Sequence, residues 1–214
     1  MTKENIKIII SYLDKLFPDA KTELFYENEF QLLIAIIMSA QTTDKQVNKV
    51  NKVFFKVFKN PDDWLKLWQK NIENYIKTVW FYKTKAKNIY RTCEILYKND
   101  LNNFSTVEKL QTLHWVGIKT AKVFLAITKN TQVLGVDTHV HRVLNRLWIV
   151  KTKSPLETDK KVEKILKKED LSKLHHTLIF FWRYNCTARN PKCDLCDLKQ
   201  ICKYYKKVIL IKNK

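Results

Sequence analysis

Along most of the chain, apolar residues recur every third or fourth position, the period of an α-helix. Ile6, Ile9, Ile10, Leu13 and Leu16 or Phe17 form one side of a helix over 3–17, which Pro18 and Asp19 end. Residues 29–39 are apolar almost all round and predict a helix buried on every side. Thr43 with Gln46 makes a capping box for a helix over about 44–58. Asn60 ahead of Pro61, Asp62 and Asp63 starts a short helix; residues 70–78 form a further one, and another runs to about Tyr97. Ser105 with Glu108 caps the next, and Ala121, Phe124, Leu125 and Thr128 mark the helix after it. Asp137 stands as an N-cap ahead of a stripe of Val140, Val143, Leu144 and Leu147. Ser154-Pro155-Leu156-Glu157 combines an N-cap, a proline at the first helical position and a glutamate at the third. Residues 171–185 carry Leu174, Leu178, Phe181 and Trp182 on the last long helix. About eleven helices with short connections, no strand alternation and no repeat predict an all-α fold of two interleaved lobes.

Composition supports that reading. Two glycines and four prolines in 214 residues leave little material for the tight turns of a sheet. A hydrophobic share of 45% places the chain among globular proteins. The net charge of +19 points to a polyanionic partner, nucleic acid being the simplest, although lysine-rich codon bias supplies part of it. The longest apolar run, Leu32 to Met38, is far shorter than the ~20 residues of a membrane span. No cleavable leader is recognisable, so a soluble cytoplasmic protein, working away from any membrane, is expected.

Candidate chemistry concentrates in two places. The first is residues 110–142. Gly117 lies between an apolar segment and a helix, where a sharply turning chain would need a residue without a β-carbon. Lys119 follows in the first turn of that helix, pointing away from its apolar face. The helix dipole and neighbouring cations such as Lys122 would favour its neutral amine, a nucleophile that an ordinary lysine with a pKa of ~10.4 is not. Asp137 provides a carboxylate able to take a proton or stabilise a cationic sugar. The second place is the carboxy-terminal segment, where Cys186, Cys193, Cys196 and Cys202 stand within a short loop. Four thiolates so close suit zinc or an iron–sulfur cluster, and ligand rules alone do not choose. Cys93 reads as a small buried side chain, and His139, His141, His175 and His176 as core or surface residues.

Leu113, Val116, Gly117, Lys119, Thr120 and Ala121, with the later Val136, Asp137, Thr138 and His139, resemble the helix–hairpin–helix motif of the endonuclease III family of DNA glycosylases. That motif reads Leu-Pro-Gly-Val-Gly-x-Lys-Thr-Ala and then Val-Asp-Thr-His. His114 and Trp115 replace its proline and first glycine. Residues 38–44 resemble the family's Leu-Ser-Ala-Gln-x-Thr-Asp, and Tyr82, Lys85 and Ala86 match a family loop in which Trp80 takes a glycine's place. The four cysteines match the family's Cys-x6-Cys-x2-Cys-x5-Cys spacing, which holds a 4Fe–4S cluster.

The resemblance implies a six-helix lobe over 22–132, with the hairpin at about 106–128. It implies a second lobe that joins 1–21 to 133–214 and carries the cluster loop 186–202. Double-stranded DNA containing damaged pyrimidines or abasic sites would lie across the groove between the lobes, with Lys119 and Asp137 at its mouth. The implied enzyme acts as a monomer. It flips the damaged nucleotide, Lys119 displaces the base through a Schiff base, and β-elimination cuts the strand. Gln41 would occupy the vacated space, and Gly117 and Thr120 would meet the DNA backbone. The competing readings are a non-catalytic helical DNA-binding module with a structural metal cluster and a zinc-stabilised RNA-binding protein.

Overall fold

The computed structural model describes residues 2–166 and 169–209, with the side chain of Ile209 outside the description. Contacts divide the chain into two compact units. One is Glu23–Lys129; the other joins the amino-terminal residues through Thr22 to the chain from Asn130 onward. Among the described residues the regular structure is helical throughout, with no strand.

The Glu23–Lys129 unit is built around α2, Glu29–Ser39, the helix whose all-round apolarity predicted burial. Every residue from Phe30 to Met38 is buried, including Gln31. A buried amide must be bonded. Gln31 Nε2 donates to the carbonyls of Phe55 (3.0 Å) and Phe58 (3.2 Å), and its Oε1 accepts from Glu27 N at 2.8 Å. Around α2 lie α3 (Asp44–Phe54), α4 (Pro61–Lys66), α5 (Gln69–Ile76), α6 (Tyr82–Lys98), α7 (Val107–Leu110) and α8 (Ile118–Lys129). With the single turn α7 counted, the unit holds seven α-helices among its described residues, where six were expected. Phe54, Phe58 and Trp64 form its aromatic centre, with Phe54 4.4 Å from Trp64 and 4.5 Å from Phe58 between ring centroids.

Two caps differ from expectation. Thr106, not Ser105, caps α7, accepting from Lys109 N at 3.3 Å, because the helix begins one residue later than the sequence pattern suggested. Thr43 caps α3, but Gln46 does not complete the box; its Nε2 donates instead to Thr78 Oγ1 at 2.7 Å. A partner distant in sequence displaced the local one.

The other unit contains α1 (Lys3–Leu16) and then α9 (Thr138–Arg146), α10 (Pro155–Leu166) and α11 (Leu171–Tyr184). Helix α11 packs against α1 and α9, and α10 against α9. Ile9, Leu13, Leu134, Val140, Val143, Leu144, Val162, Leu178 and Phe181 make its core. All four residues of the predicted α9 stripe, Val140, Val143, Leu144 and Leu147, are buried. Short 3-10 turns and a final π turn, Tyr205–Ile209, hold the cysteine segment.

Candidate functional sites

The hairpin between α7 and α8 is anchored by three buried apolar side chains, Leu110, Leu113 and Val116. Its turn closes through Val116 N to the Leu113 carbonyl at 3.3 Å, and Thr92 Oγ1 on α6 donates to the His114 carbonyl at 3.1 Å. The left-handed residue of the turn is Trp115, with φ 64°. Gly117 does not have a positive φ, and a Cβ built on it would meet nothing within 4 Å. The expectation that Gly117 is needed for a sharp turn is therefore corrected: the turn is made two residues earlier. The glycine opens its backbone only to something arriving from outside.

The Gly117 carbonyl accepts from Ala121 N at 3.0 Å and so begins α8. Lys119 and Thr120, in its first turn, are half-exposed, beside the free amide groups and positive end of the helix dipole. No described residue pairs with the Lys119 amine. Lys122, expected as a flanking cation, is 93% covered and lies on the core side.

Gln41 lies on the link between α2 and α3. It is exposed and left-handed, with φ 57°. Directly behind it, Lys85 of α6 is fully buried, and its Nζ donates to the carbonyls of Met38 (2.7 Å) and Ala40 (2.6 Å) and to Thr42 Oγ1 (3.2 Å). Thr42 Oγ1 also accepts from Trp80 N at 3.1 Å. Burial pulls the Lys85 ammonium down to about 8. Sequence reading noted Lys85 only as a motif match. The available signal was its register: it falls with Ile89 and Cys93 on the buried face of α6, where a charged residue requires an explanation.

In the other unit Asp137 caps α9, and both cap bonds, from His139 N and Val140 N, go to Oδ1 at 2.8 Å. Oδ2 is left out of the cap. The histidines have structural surroundings: His139 stacks on Trp182 at 3.5 Å between centroids, and His175 Nδ1 lies 2.9 Å from the Gly135 carbonyl. His141 Nδ1 lies 2.6 Å from Thr158 Oγ1, and burial pulls His176 down to about 4.

Cys186, Cys193, Cys196 and Cys202 line one cavity with Leu147, Phe181 and Tyr204 among its walls, and none is in a disulfide. Arg146 of α9 braces this loop. Its Nη1 donates to the Thr187 carbonyl (2.7 Å) and to Cys186 Sγ (3.4 Å), its Nη2 to the Ala188 carbonyl (3.1 Å), and its guanidinium lies 4.1 Å from the centre of the Tyr204 ring. Burial and the charges of the other three cysteines push Cys193 up to about 11; burial likewise raises Cys196 and Cys202. Arg142 Nε and Nη2 are buried without a hydrogen-bond partner, in the electrostatic reach of Cys186 and Asp137. Among the described residues no three His, Cys, Asp or Glu side chains converge as one metal ion would require. Cys93, in the Glu23–Lys129 unit, is buried, and its thiol is raised by that burial. Of the expected residues, Gln41, Gly117, Lys119 and Thr120 thus belong to one unit, and Asp137 with the four cysteines to the other.

Residues 34–168 match the model of the HhH-GPD superfamily base excision DNA repair proteins. The chain is 38% identical to the endonuclease III of Rickettsia conorii over 209 residues, covering 96% of this chain and 98% of the relative. It is 39% identical to that of Bacillus subtilis over 204 residues, 93% of each. A solved structure of a trapped endonuclease III–DNA covalent intermediate, in an estranged-adenine complex, superposes with a TM-score of 0.91 at 38% identity, over 98% of this chain and 99% of the other.

Proposed function

The chain belongs to the endonuclease III family of HhH-GPD base excision DNA repair proteins, and from that premise we propose a division of labour among its residues. The protein is a bifunctional DNA glycosylase and abasic-site lyase that binds DNA. Its substrates are oxidised or ring-saturated pyrimidines and abasic sites in duplex DNA, and it acts as a single chain in the bacterial cytoplasm. No helix among the described residues is long and apolar enough to cross a membrane.

Lys119 is the nucleophile. Its neutral amine attacks the deoxyribose C1′, the C1′–N bond breaks, and the base leaves with the electron pair and takes a proton. Ring opening gives an iminium, loss of a C2′ proton expels the 3′ phosphate, and water releases the amine. Two observations carry this reading: a relative has been trapped in a covalent intermediate with DNA, and this chain has Lys119 in the first turn of α8 with no described partner. Asp137 serves twice: Oδ1 caps α9, and Oδ2 is left to accept the proton or face the cationic sugar. Gly117 and Thr120 receive a phosphate at the start of α8, where the amides are unpaired and no Cβ stands in front. Gln41 fills the space of the extruded nucleotide.

Cys186, Cys193, Cys196 and Cys202 hold a 4Fe–4S cluster. Four thiols around one cavity could each take one iron of such a cluster, and the family spacing of the four cysteines supports it. Lys192 and Lys199 line that cavity, and Arg146, bonded to Cys186 Sγ, adds a further cation beside it, which suits an anionic cluster. When bound, the cluster cross-links the loop.

The experiment is borohydride trapping on a duplex containing thymine glycol, with wild type beside Lys119→Ala. Wild type is expected to form a covalent adduct and the variant none. Binding without trapping or nicking by wild type would instead support the non-catalytic DNA-binding module.

A further inference from the structure

Lys85 is a full charge in the core of a helical unit, and its hydrogen bonds account for all three of its N–H donors. The acceptors are residues 38, 40 and 42, which bracket Gln41 on both sides. Two of them, the Met38 and Ala40 carbonyls, belong to the carboxy-terminal end of α2, where a cation is favoured by the helix dipole. The third, Thr42 Oγ1, is shared with the backbone N–H of Trp80, so the 40–42 turn is tied to the start of α6 twice. Gln41 itself is excluded from this network: its side chain is exposed, and its left-handed backbone is held by its neighbours. If the aim were only to end α2, a glycine and solvent would suffice. A buried ammonium is a costly way to satisfy carbonyls.

We propose that Lys85 is a positioning residue for Gln41: its ammonium locks the 38–42 turn so that Gln41 meets the duplex already in the conformation that fills the space of an extruded nucleotide. The proposal rests on the reading of Gln41 as the space-filling residue. Because the backbone on both sides of Gln41 is already held, only the freedom of its side chain remains to be lost when it enters the stack. Lys85 touches neither substrate nor reacting atoms. Its effect should therefore follow the need to open a base-paired duplex and act through Gln41.

The test is single-turnover cleavage at an abasic site, in a duplex and in a single-stranded oligonucleotide of the same sequence, by wild type, Lys85→Met, Gln41→Ala and the double variant. Lys85→Met substitutes an unbranched side chain one atom shorter, and it removes the donors. It is expected to slow duplex cleavage about tenfold or more and single-strand cleavage less than about threefold. The double variant should be no slower than the slower single one. Equal slowing on both substrates, or multiplication of the two effects, would overturn the proposal while leaving Gln41's role standing. A Gln41→Ala variant as fast as wild type on the duplex would remove the premise and the proposal with it. If Lys85→Met does not fold, Thr42→Val serves: it retains the shape of a partly exposed residue and deletes the hydroxyl that both Lys85 and Trp80 reach. A smaller, duplex-dependent slowing is expected, and a duplex rate equal to wild type overturns the proposal.

Discussion

Two turns of the Glu23–Lys129 unit each hold a bulky residue in the left-handed region, Gln41 at φ 57° and Trp115 at φ 64°. Such a conformation costs a residue with a β-carbon about 1–2 kcal/mol. At Gln41 the compensation is polar: a buried ammonium grips the residues on either side. At Trp115 it is apolar: Leu113 and Val116 are sunk into the core around the turn, with a single bond from Thr92 to the backbone at His114. The polar clamp leaves its tip residue free to project, whereas the apolar anchor leaves the indole partly covered, at 37% exposure. The first device presents a side chain; the second presents the backbone that follows it, at Gly117 and α8.

The sharpest way to break the comparison is to remove the clamp. Lys85→Met leaves two carbonyls at the end of α2 without their donor, and thermal or urea unfolding should show a loss of about 2–4 kcal/mol. Next comes pH. Folded Lys85 gives up its proton at about 8, while the unfolded chain holds it to the ordinary 10.5. The unfolded state therefore binds more protons between those values, so the contribution of this group to stability should rise from pH 8 toward 10.5. Urea titrations of wild type and Lys85→Met across that window should diverge in this direction; parallel curves would contradict it.

Trp115→Gly should change stability by no more than about 1 kcal/mol, since relief of the left-handed strain offsets lost packing of the indole. Fluorescence anisotropy at fixed salt should show DNA binding tightened several-fold, and unchanged or weaker affinity would mean that the tryptophan is accommodated on DNA. The smallest effect on the fold is expected at Gly117→Ala. A Cβ there meets nothing in the protein, so stability should move by less than about 0.5 kcal/mol while DNA affinity falls several-fold. Equal affinities would remove the phosphate role of Gly117.

The elements most legible in the sequence were those whose signals lie within one helical turn. Asn60, Asp137 and Ser154 cap the helices their spacing announced, and the α9 stripe is buried as its period required. The all-helical class follows from the same periodicity and the scarcity of glycine. Two readings failed for a shared reason. Ser105 and Thr106 carry equivalent hydroxyls one position apart, so the cap is decided by where the helix can start against its core. Gln46 had a local partner available and took Thr78, 32 residues away.

By itself, the sequence determined the helices, the binary pattern that buries them, the spacing of four thiols in one loop and the presence of Lys119 in the first turn of a helix. Each of these depends on neighbours three or four positions apart, or on a loop too short to separate its residues. The replacement of the motif's first glycine by Trp115 pointed to a strained left-handed position, which the structure places at φ 64°; tertiary structure alone decided that Gly117 is not part of that turn and that Lys85 lies under Gln41. A left-handed φ is imposed by how both ends of a turn are anchored. A buried ammonium is tolerated only where carbonyls more than forty residues away in the chain converge on it.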